Sequence, residues 1–420
     1  MRTAWVLLVL ALGRAAIAQQ NDEAAALSLA DQTHTVPTAQ RACLEYGEVA
    51  ATGTTYSNEM APTSGGRASF SFRCDVAFAS QWRAVLSNRF DYFWGQEMSA
   101  QAVNTLKEAY VSFRGGGTQL FDVGRINVRQ GTGFAYNPSD YFRADAVRAV
   151  ISIDPNTLRD ERLGTLMARS QTLWSSGSLT AMLAPRVSAQ SNTSAISPDL
   201  GATNGERRWM VILSQRLGGD FQPQLSVAGT EHQAPQAGLN LTYLLNQATV
   251  AYVEWSGGRS ASNLALSGYY GPAVSGESVF RSRLSTGFTY TTPFKLSVTL
   301  EYEYDGAAPG RDEWNAVRSG PLAPYVQYRQ YAANQGELAA RENLFGYVHW
   351  DDVGIPHLGL TAFVRFDPYD RSRVIWTEAR YHWAHAGVAV QWQRHSGDAT
   401  SDFAPSPARQ SWLALVDYYF

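Results

Sequence analysis

The last eleven residues, QSWLALVDYYF, place Trp412, Ala414, Val416, Tyr418 and Phe420 on one side of an extended backbone. Apolar residues at every second position define a strand with one apolar face, since successive strand side chains point to opposite sides. The same period recurs along the chain. In ASFSFRCDVAF, Phe70, Phe72, Cys74, Val76 and Phe78 face one way, and Ser71, Arg73 and Asp75 the other. KLSVTLEYEYD sets Leu296, Val298, Leu300 and Tyr302 against Thr299, Glu301 and Glu303, and HLGLTAFVRF sets Leu358, Leu360, Ala362, Val364 and Phe366 against Thr361 and Arg365. A chain patterned this way folds as an all-β protein.

The pattern predicts 18 strands between residue 42 and the end. The first nine span 42–56, 67–78, 80–93, 104–114, 118–130, 163–174, 177–187, 207–216 and 219–230. The second nine span 238–245, 247–256, 278–290, 294–304, 341–350, 357–366, 372–382, 386–395 and 409–420. The first and tenth have the weakest pattern, so 16 strands is the nearest rival. Connections after even strands are short, as at Ser80, Gly115 to Gly117, Gly218 and Asn246. Those after odd strands are often long: 131–162, 188–206, 257–277, 305–340 and 396–408. Such sorting puts all long connections at one end of an antiparallel sheet, the topology of a transmembrane barrel with short turns on one side and long loops on the other. A soluble sandwich would balance its loops, and a propeller would repeat every 40–50 residues; neither pattern is present.

The aromatic-ended final strand resembles the closing strand of bacterial outer-membrane β-barrels. That resemblance implies that Phe420 is read by the barrel-insertion machinery, that outer-membrane lipid and lipopolysaccharide surround the wall, and that the short turns are periplasmic. A mean hydropathy of −0.24 is compatible with it, because lipid-facing and lumen-facing residues average out along each strand. Aromatics at 12%, with 12 Trp and 21 Tyr, suit girdles at two interfaces. Residues 1–18 read as a secretory signal: Arg2, an apolar run from Ala4 to Gly13, and the small-residue site Ala16-Ile17-Ala18. Residues 19–41 then form a polar periplasmic segment and 42–420 the barrel. No later stretch approaches the apolar length of a membrane helix. Two cysteines in an exported chain, Cys43 and Cys74, form either one disulfide between the first two strands or two buried thiols.

If the apolar stripes face lipid, the opposite residues line the lumen. Basic candidates are Arg73, Arg83, Arg89, Arg125, Arg129, Arg169, Arg281, Arg283, Arg365 and Arg380. Acidic ones are Asp75, Asp91, Glu108, Glu254, Glu301, Glu303 and Glu378. A lumen with this many charges is expected to be wet, since dry burial would demand a partner for each. Tyr110, Tyr252, Phe345, Tyr347 and Trp376 also fall inward; they stack on sugar rings or pack against an inserted loop.

The segment from Leu120 to Gly164 carries Gly124, Arg125, Gly131, Gly133, Asn137, Pro138 and Asp140. It resembles outer-membrane porin families with a Gly-Arg strand, a Gly-rich turn and an Asn-Pro-x-Asp loop, a broad group that includes alginate-export channels. The resemblance implies that the third long loop folds into the barrel. Its constriction would draw on Asp140, Arg143, Asp145, Arg148, Asp154 and Arg159, with Asp160 and Glu161. The competing picture is an exposed loop, against which Ala146, Val147, Ala149, Val150 and Ile151 argue.

The seven histidines (34, 232, 349, 357, 382, 385 and 395) show no metal-ligand spacing and no opposed serine, so neither an enzyme, a metal nor a cofactor is expected. The arginines are spread around a barrel and leave no nucleic-acid face. The reading is a passive, water-filled channel for small hydrophilic solutes, with anions and anionic saccharides favoured. Two alternatives stay open: an exopolysaccharide export channel, and a closed structural or adhesive barrel sealed by loops 131–162 and 305–340. Homotrimer and monomer are both open.

Overall fold

The computed structural model describes residues 43–56, 60–96, 99–218, 221–271, 277–404 and 407–420. The expected signal (1–18), the segment 19–41 and residue 42 lie outside the described residues.

The strands are β1 (Cys43–Tyr56), β2 (Thr63–Ala79), β3 (Trp82–Gly95), β4 (Gln101–Gly115), β5 (Gln119–Ile126) and β6 (Thr165–Trp174). There follow β7 (Gly177–Ala184), β8 (Arg208–Gln215), β9 (Gln224–Thr230), β10 (Gln236–Asn246), β11 (Thr249–Ser260) and β12 (Val279–Thr291). The last six are β13 (Leu296–Asp305), β14 (Glu342–Trp350), β15 (Leu358–Phe366), β16 (Arg373–His382), β17 (Ala386–Ser396) and β18 (Ala408–Tyr419). Each pairs antiparallel with its sequence neighbours, and β18 pairs with β1 from Tyr46↔Tyr419 to Tyr56↔Ala408, which closes an 18-stranded barrel. Cys43 and Cys74 face each other in the β1–β2 register and are disulfide-bonded.

The alternation sorts the side chains as a barrel requires. Phe70, Phe78, Trp82, Phe90, Val123, Leu183, Leu225, Phe280, Leu300, Val390, Trp412 and Val416 stand exposed on the outer wall. Apolar surface on this scale suits hydrocarbon rather than water. Two strands are shorter at one end than expected by four residues or more. β9 starts at Gln224, not 219, and β5 stops at Ile126, not 130. At Gly124 the backbone takes φ +138°, and a Cβ there would collide with the main chain of Ala109 and Tyr110. Beyond it Arg125 and Ile126 are both buried, so the alternation is lost and the chain turns inward. The pull is apolar. Val128 and Phe142 bury against the inner faces of β6 to β9, on Met167, Met182, Ala184, Met210, Ile212 and Ala228.

The connection 306–341, expected as irregular loop, carries helices. Label α1 Pro155–Asp160, α2 Leu200–Thr203, α3 Asn263–Leu266, α4 Arg311–Ser319 and α5 Leu322–Gln335. Trp314 and Val317 of α4 and Tyr325 and Tyr328 of α5 sit at helical spacing and bury with Leu264 of α3, and Ala332 is buried on the same helix as the two tyrosines. Gly336 ends α5 at φ +66°, its N–H returning to the last turn, a left-handed stop that glycine adopts without a Cβ penalty. The helical cap is tied to its neighbours by Trp314, whose indole N–H donates to Asp370 at 3.0 Å, and by the Arg329–Asp402 and Arg318–Asp398 pairs.

Within this cap Asp367 is fully buried in the β15–β16 connection, accepting from the amides of Tyr369 (2.6 Å) and Asp370 (3.4 Å). Burial, then the neighbouring carboxylates of Asp402 and Asp370, push its carboxyl up to about 7. The folded cap therefore keeps a proton that the unfolded chain releases near the ordinary carboxylate value of ~4. That stability is fully present below pH ~4 and is lost as pH rises through about 7. Hydrogen exchange at Tyr369 and Asp370, corrected for intrinsic rate, should show protection falling between pH 5 and pH 8. Asp367→Asn should flatten the profile; the same slope in that variant would refute the assignment.

Candidate functional site

The third long connection, 127–164, fills much of the lumen, and two glutamates fasten it. Glu254 of β11 accepts from the amides of Gly133 and Ser139 (both 2.7 Å) and from the Ser139 hydroxyl (2.8 Å). Glu301 of β13 accepts from the amides of Phe134, Ala135 (3.1 Å) and Tyr136 (3.0 Å), and from the Tyr252 hydroxyl (2.6 Å). Both carboxylates are buried, and neither pairs with an arginine in a salt bridge among the described residues. The Gly-rich sequence is what lets the backbone wrap them. Gly131 sits at φ +101°, and a Cβ there would strike the Glu254 carboxylate.

From this anchor the loop makes a circuit of the wall. Phe134 stacks on Phe345 and meets Tyr347 at a tilt within an aromatic cluster that includes Phe363 and Trp376 on β14 to β16. Arg67 of β2 donates to the Ile151 carbonyl at 2.9 Å, and Lys107 of β4 pairs with Glu161 at 3.0 Å. Toward the helical cap, Tyr136 donates to Glu337 (2.7 Å), Arg143 pairs with Glu337 (2.9 Å), and the Asp145 amide meets Asn334. The inward aromatics Tyr252, Phe345, Tyr347 and Trp376 are thus buried against the loop or on the wall beneath it, and are not presented to a solute. Tyr110 is only partly buried.

The expected constriction residues prove to be fasteners. Asp140 is buried against Arg162 (2.8 Å), Asp154 caps α1 through the Thr157 amide (3.1 Å), and Arg159 reaches the carbonyls of Gln130 and Gly131. Arg148 holds the next long connection by the carbonyls of Ser197 (2.7 Å) and Ser194 (2.8 Å). Burial raises the carboxyls of both Asp145 and Asp154 above the usual range. Hence Asp140, Arg143, Asp145, Arg148, Asp154 and Arg159 spend their polar groups on holding chain to chain. Val147 and Val150 stay exposed, whereas Ala146 is buried.

The predicted lumenal charges divide into two groups. Arg89 (with Asp91 and Glu48), Arg125, Arg283 (with Asp305 and Glu337) and the carboxylates Glu301 and Glu303 are buried, a correction to their assignment as pore lining. Arg125 spends its guanidinium on the carbonyls of Gly164, Pro198 and Asp199, beneath the neighbouring connection. Arg281 holds the carbonyls of Ser260 and Gly306. Arg365 and Arg380 pair with Glu303 and with Glu378 and Asp417 and are largely covered.

In the second group the arginines stay in water, whereas Glu108 and Asp122 are buried beneath them, a correction to Glu108 as pore lining. Arg73–Glu108, Arg83–Asp75 and Arg169–Asp122 line the wall formed by β2 to β6, and Arg129–Asp160 stands at the base of the inserted loop, not on β5. In two of these pairs the charges are sorted by depth. The Arg73 side chain is 41% exposed over a Glu108 that is 9% exposed, and Arg169 is 29% exposed over an Asp122 at 7%. A solute on this wall meets guanidinium first, with spare N–H groups in a planar fork suited to carboxylates.

Sequence reasoning missed Glu48, Arg67, Lys107, Arg162 and Glu337. Arg67 lay at the first position assigned to its strand, and its pairing with Glu48 joins β1 to β2. Among the described residues no group of three or more His, Cys, Asp or Glu is placed to hold a metal ion.

No protein-family model matches the chain, and no curated protein matches it in sequence. Solved structures match it in fold. Pseudomonas aeruginosa OccK2 (OpdF) superposes with a TM-score of 0.55 at 11% identity, over 90% of this chain and 97% of that one. Acinetobacter baumannii OccAB1 does so with a TM-score of 0.54 at 12% identity, over 90% and 96%. A second structure of OccK2, in complex with glucuronate, matches with a TM-score of 0.51 at 12% identity over 90% and 97%.

Proposed function

We propose that this barrel is a passive outer-membrane channel for small, anionic, hydrophilic solutes, with its short turns periplasmic and its long loops outside. The observation that carries the reading is the set of water-exposed arginines on β2, β3 and β6, which the inserted loop leaves free although it is fastened around the wall at Arg67, Lys107, Glu254 and Glu301. Mixed charges across a narrowed, wet passage select solutes by charge and orient their dipoles. The Occ and Opd outer-membrane porins that share the fold, one of them bound to glucuronate, support a carboxylate-bearing solute. Placement in the membrane would proceed through β18, whose aromatic end at Phe420 hydrogen-bonds back to Glu45.

One observation favours a second reading, a closed barrel. The inserted loop touches the wall around much of its circumference, and the α4–α5 cap lies over part of the loop rim. Planar-bilayer recording of the refolded protein separates the two. Steady openings with anion preference are expected. Silence from protein whose heat-shifted gel mobility shows it folded would sink the channel and favour the sealed barrel.

A further inference from the structure

Most arginines that face the lumen are paired or hydrogen-bonded; two on the outer wall are not. Arg373 opens β16 and Arg394 lies near the end of β17. Both are exposed, and neither has an ion pair or hydrogen bond among the described residues. The β16–β17 register sets Arg373 opposite Ser396 and Ile375 opposite Arg394. The two arginines are therefore diagonal neighbours on the same face, roughly 7–8 Å apart and somewhat closer at their Cβ atoms. A third exposed arginine, Arg371, sits beside them at the rim with φ +60°. Of the nearby carboxylates, Asp367, Asp370 and Asp402 are buried in or against the helical cap, and the exposed Asp398 of the β17–β18 connection pairs with Arg318 of that cap.

The height of this pair on the wall is set by two belts of aromatics. Trp392 and Trp412 are directly paired across β17 and β18, with ring centroids 6.0 Å apart. With the Gln410 amide turned so that its oxygen faces them, it accepts from both indoles, at 3.1 and 2.9 Å. Toward the short-turn rim, Tyr418 and Phe420 make the second belt. Eight residues separate Phe420 from Trp412, ~26 Å along a strand and ~20 Å along the normal once a tilt of 35–45° is included. That is a few ångström short of the apolar band of a barrel, about 25 Å, so the outer edge of the band lies just past the indoles. Arg394 is two residues beyond Trp392, so it stands about 5 Å past the indole belt, where lipid headgroups begin.

Two unpaired guanidinium groups this close repel each other unless an anion lies between them. Above an indole belt in a bilayer, the anions at hand are lipid phosphates. We propose that Arg373 and Arg394, with Arg371 at the rim, clamp a phosphate of an outer-leaflet glycolipid headgroup, while the acyl chains lie on Ile375, Val388 and Val390 below. The inference rests on the membrane orientation proposed above but not on conduction.

The test uses the full barrel in detergent micelles, with the midpoint of its heat-modifiable gel shift as the readout. Diphosphorylated lipid A should raise the midpoint of the unsubstituted protein; the same lipid stripped of its phosphates should not. R373Q/R394Q should need on the order of tenfold more diphosphorylated lipid for the same rise, the loss expected for charge-assisted hydrogen bonds. R394K, which keeps the charge and loses the planar fork, should fall between them and stands in if the double variant does not fold. An equal response of unsubstituted protein and variants would overturn the site, and an equal rise from inorganic phosphate would overturn the lipid as its occupant. Bilayer conductance separates this proposal from the channel reading. R373Q/R394Q that conducts normally but has lost the lipid response supports the site; silence in both proteins would sink the channel and leave the lipid result standing.

Discussion

Replacing both Glu254 and Glu301 with alanine should free the inserted loop and raise single-channel conductance by roughly twofold or more, with bursts of current noise, because the loop occupies the lumen the ions must cross. Each carboxylate is the acceptor for buried amides: Gly133 and Ser139 on Glu254, and Phe134, Ala135 and Tyr136 on Glu301. An amide left buried without an acceptor costs ~1–3 kcal/mol, so stranding all five outweighs the packing of a single loop turn. The loop should then move into the water of the lumen, where its amides are solvated. Glu301→Gln alone keeps one carbonyl oxygen and should produce a smaller, noisier change. Planar-bilayer recording checks both variants. Unchanged conductance in the double variant, with the folded gel mobility retained, would show that Phe134 and the lumenal cluster around Met167 and Met182 hold the loop without the glutamates.

R73A/R83A/R169A should abolish the anion preference and turn the channel toward cations. Each substitution removes a lumenal positive charge and leaves its partner, Glu108, Asp75 or Asp122, unneutralised. Three such changes in one narrow passage, at about 1–3 kcal/mol per charge at close range, should shift the permeability ratio by tenfold or more. The shift should shrink in high salt, as screening shortens the reach of exposed charges. Arg283→Ala is the control. That guanidinium is buried between Asp305 and Glu337, so its loss should lower the unfolding midpoint and leave the reversal potential in place. A triple variant that kept its reversal potential would move selectivity away from this wall.

What could be read from the sequence was whatever repeats locally. The strand limits follow from period-2 alternation, and most observed boundaries lie within a few residues of it because lipid on one side and lumen on the other act on every residue. β5 misled for the same reason: Asn127, Val128 and Arg129 continue the alternation in letters. The turn inward is decided by Gly124 and by the methionines of β6 to β8, which only the closed ring brings near. The cap helices were legible in principle, since Tyr325, Tyr328 and Ala332 are spaced for a helix face. A loop flanked by Gly and Pro hid them. The two anchoring glutamates had no sequence signature, because their partners are backbone amides more than 100 residues away. Inward register alone could not separate Arg73, which meets water, from Arg89, which is buried; that depends on which wall the loop leaves uncovered.

The closing seam bears on how such a barrel can be assembled. Every pairing except β1–β18 joins strands adjacent in sequence, so the ladder can grow from local hairpins with little loop entropy to overcome. The seam alone joins residues as distant as Tyr46 and Tyr419, and until it forms both end strands expose unpaired backbone edges. The Cys43–Cys74 bond fixes β1 to β2 from one end of their shared register, so the edge waiting for β18 is already held in line. Joining residue 420 to residue 43 and opening one of the short turns instead would convert the seam into an ordinary hairpin. The vulnerable interval of assembly would then move to whichever turn was cut.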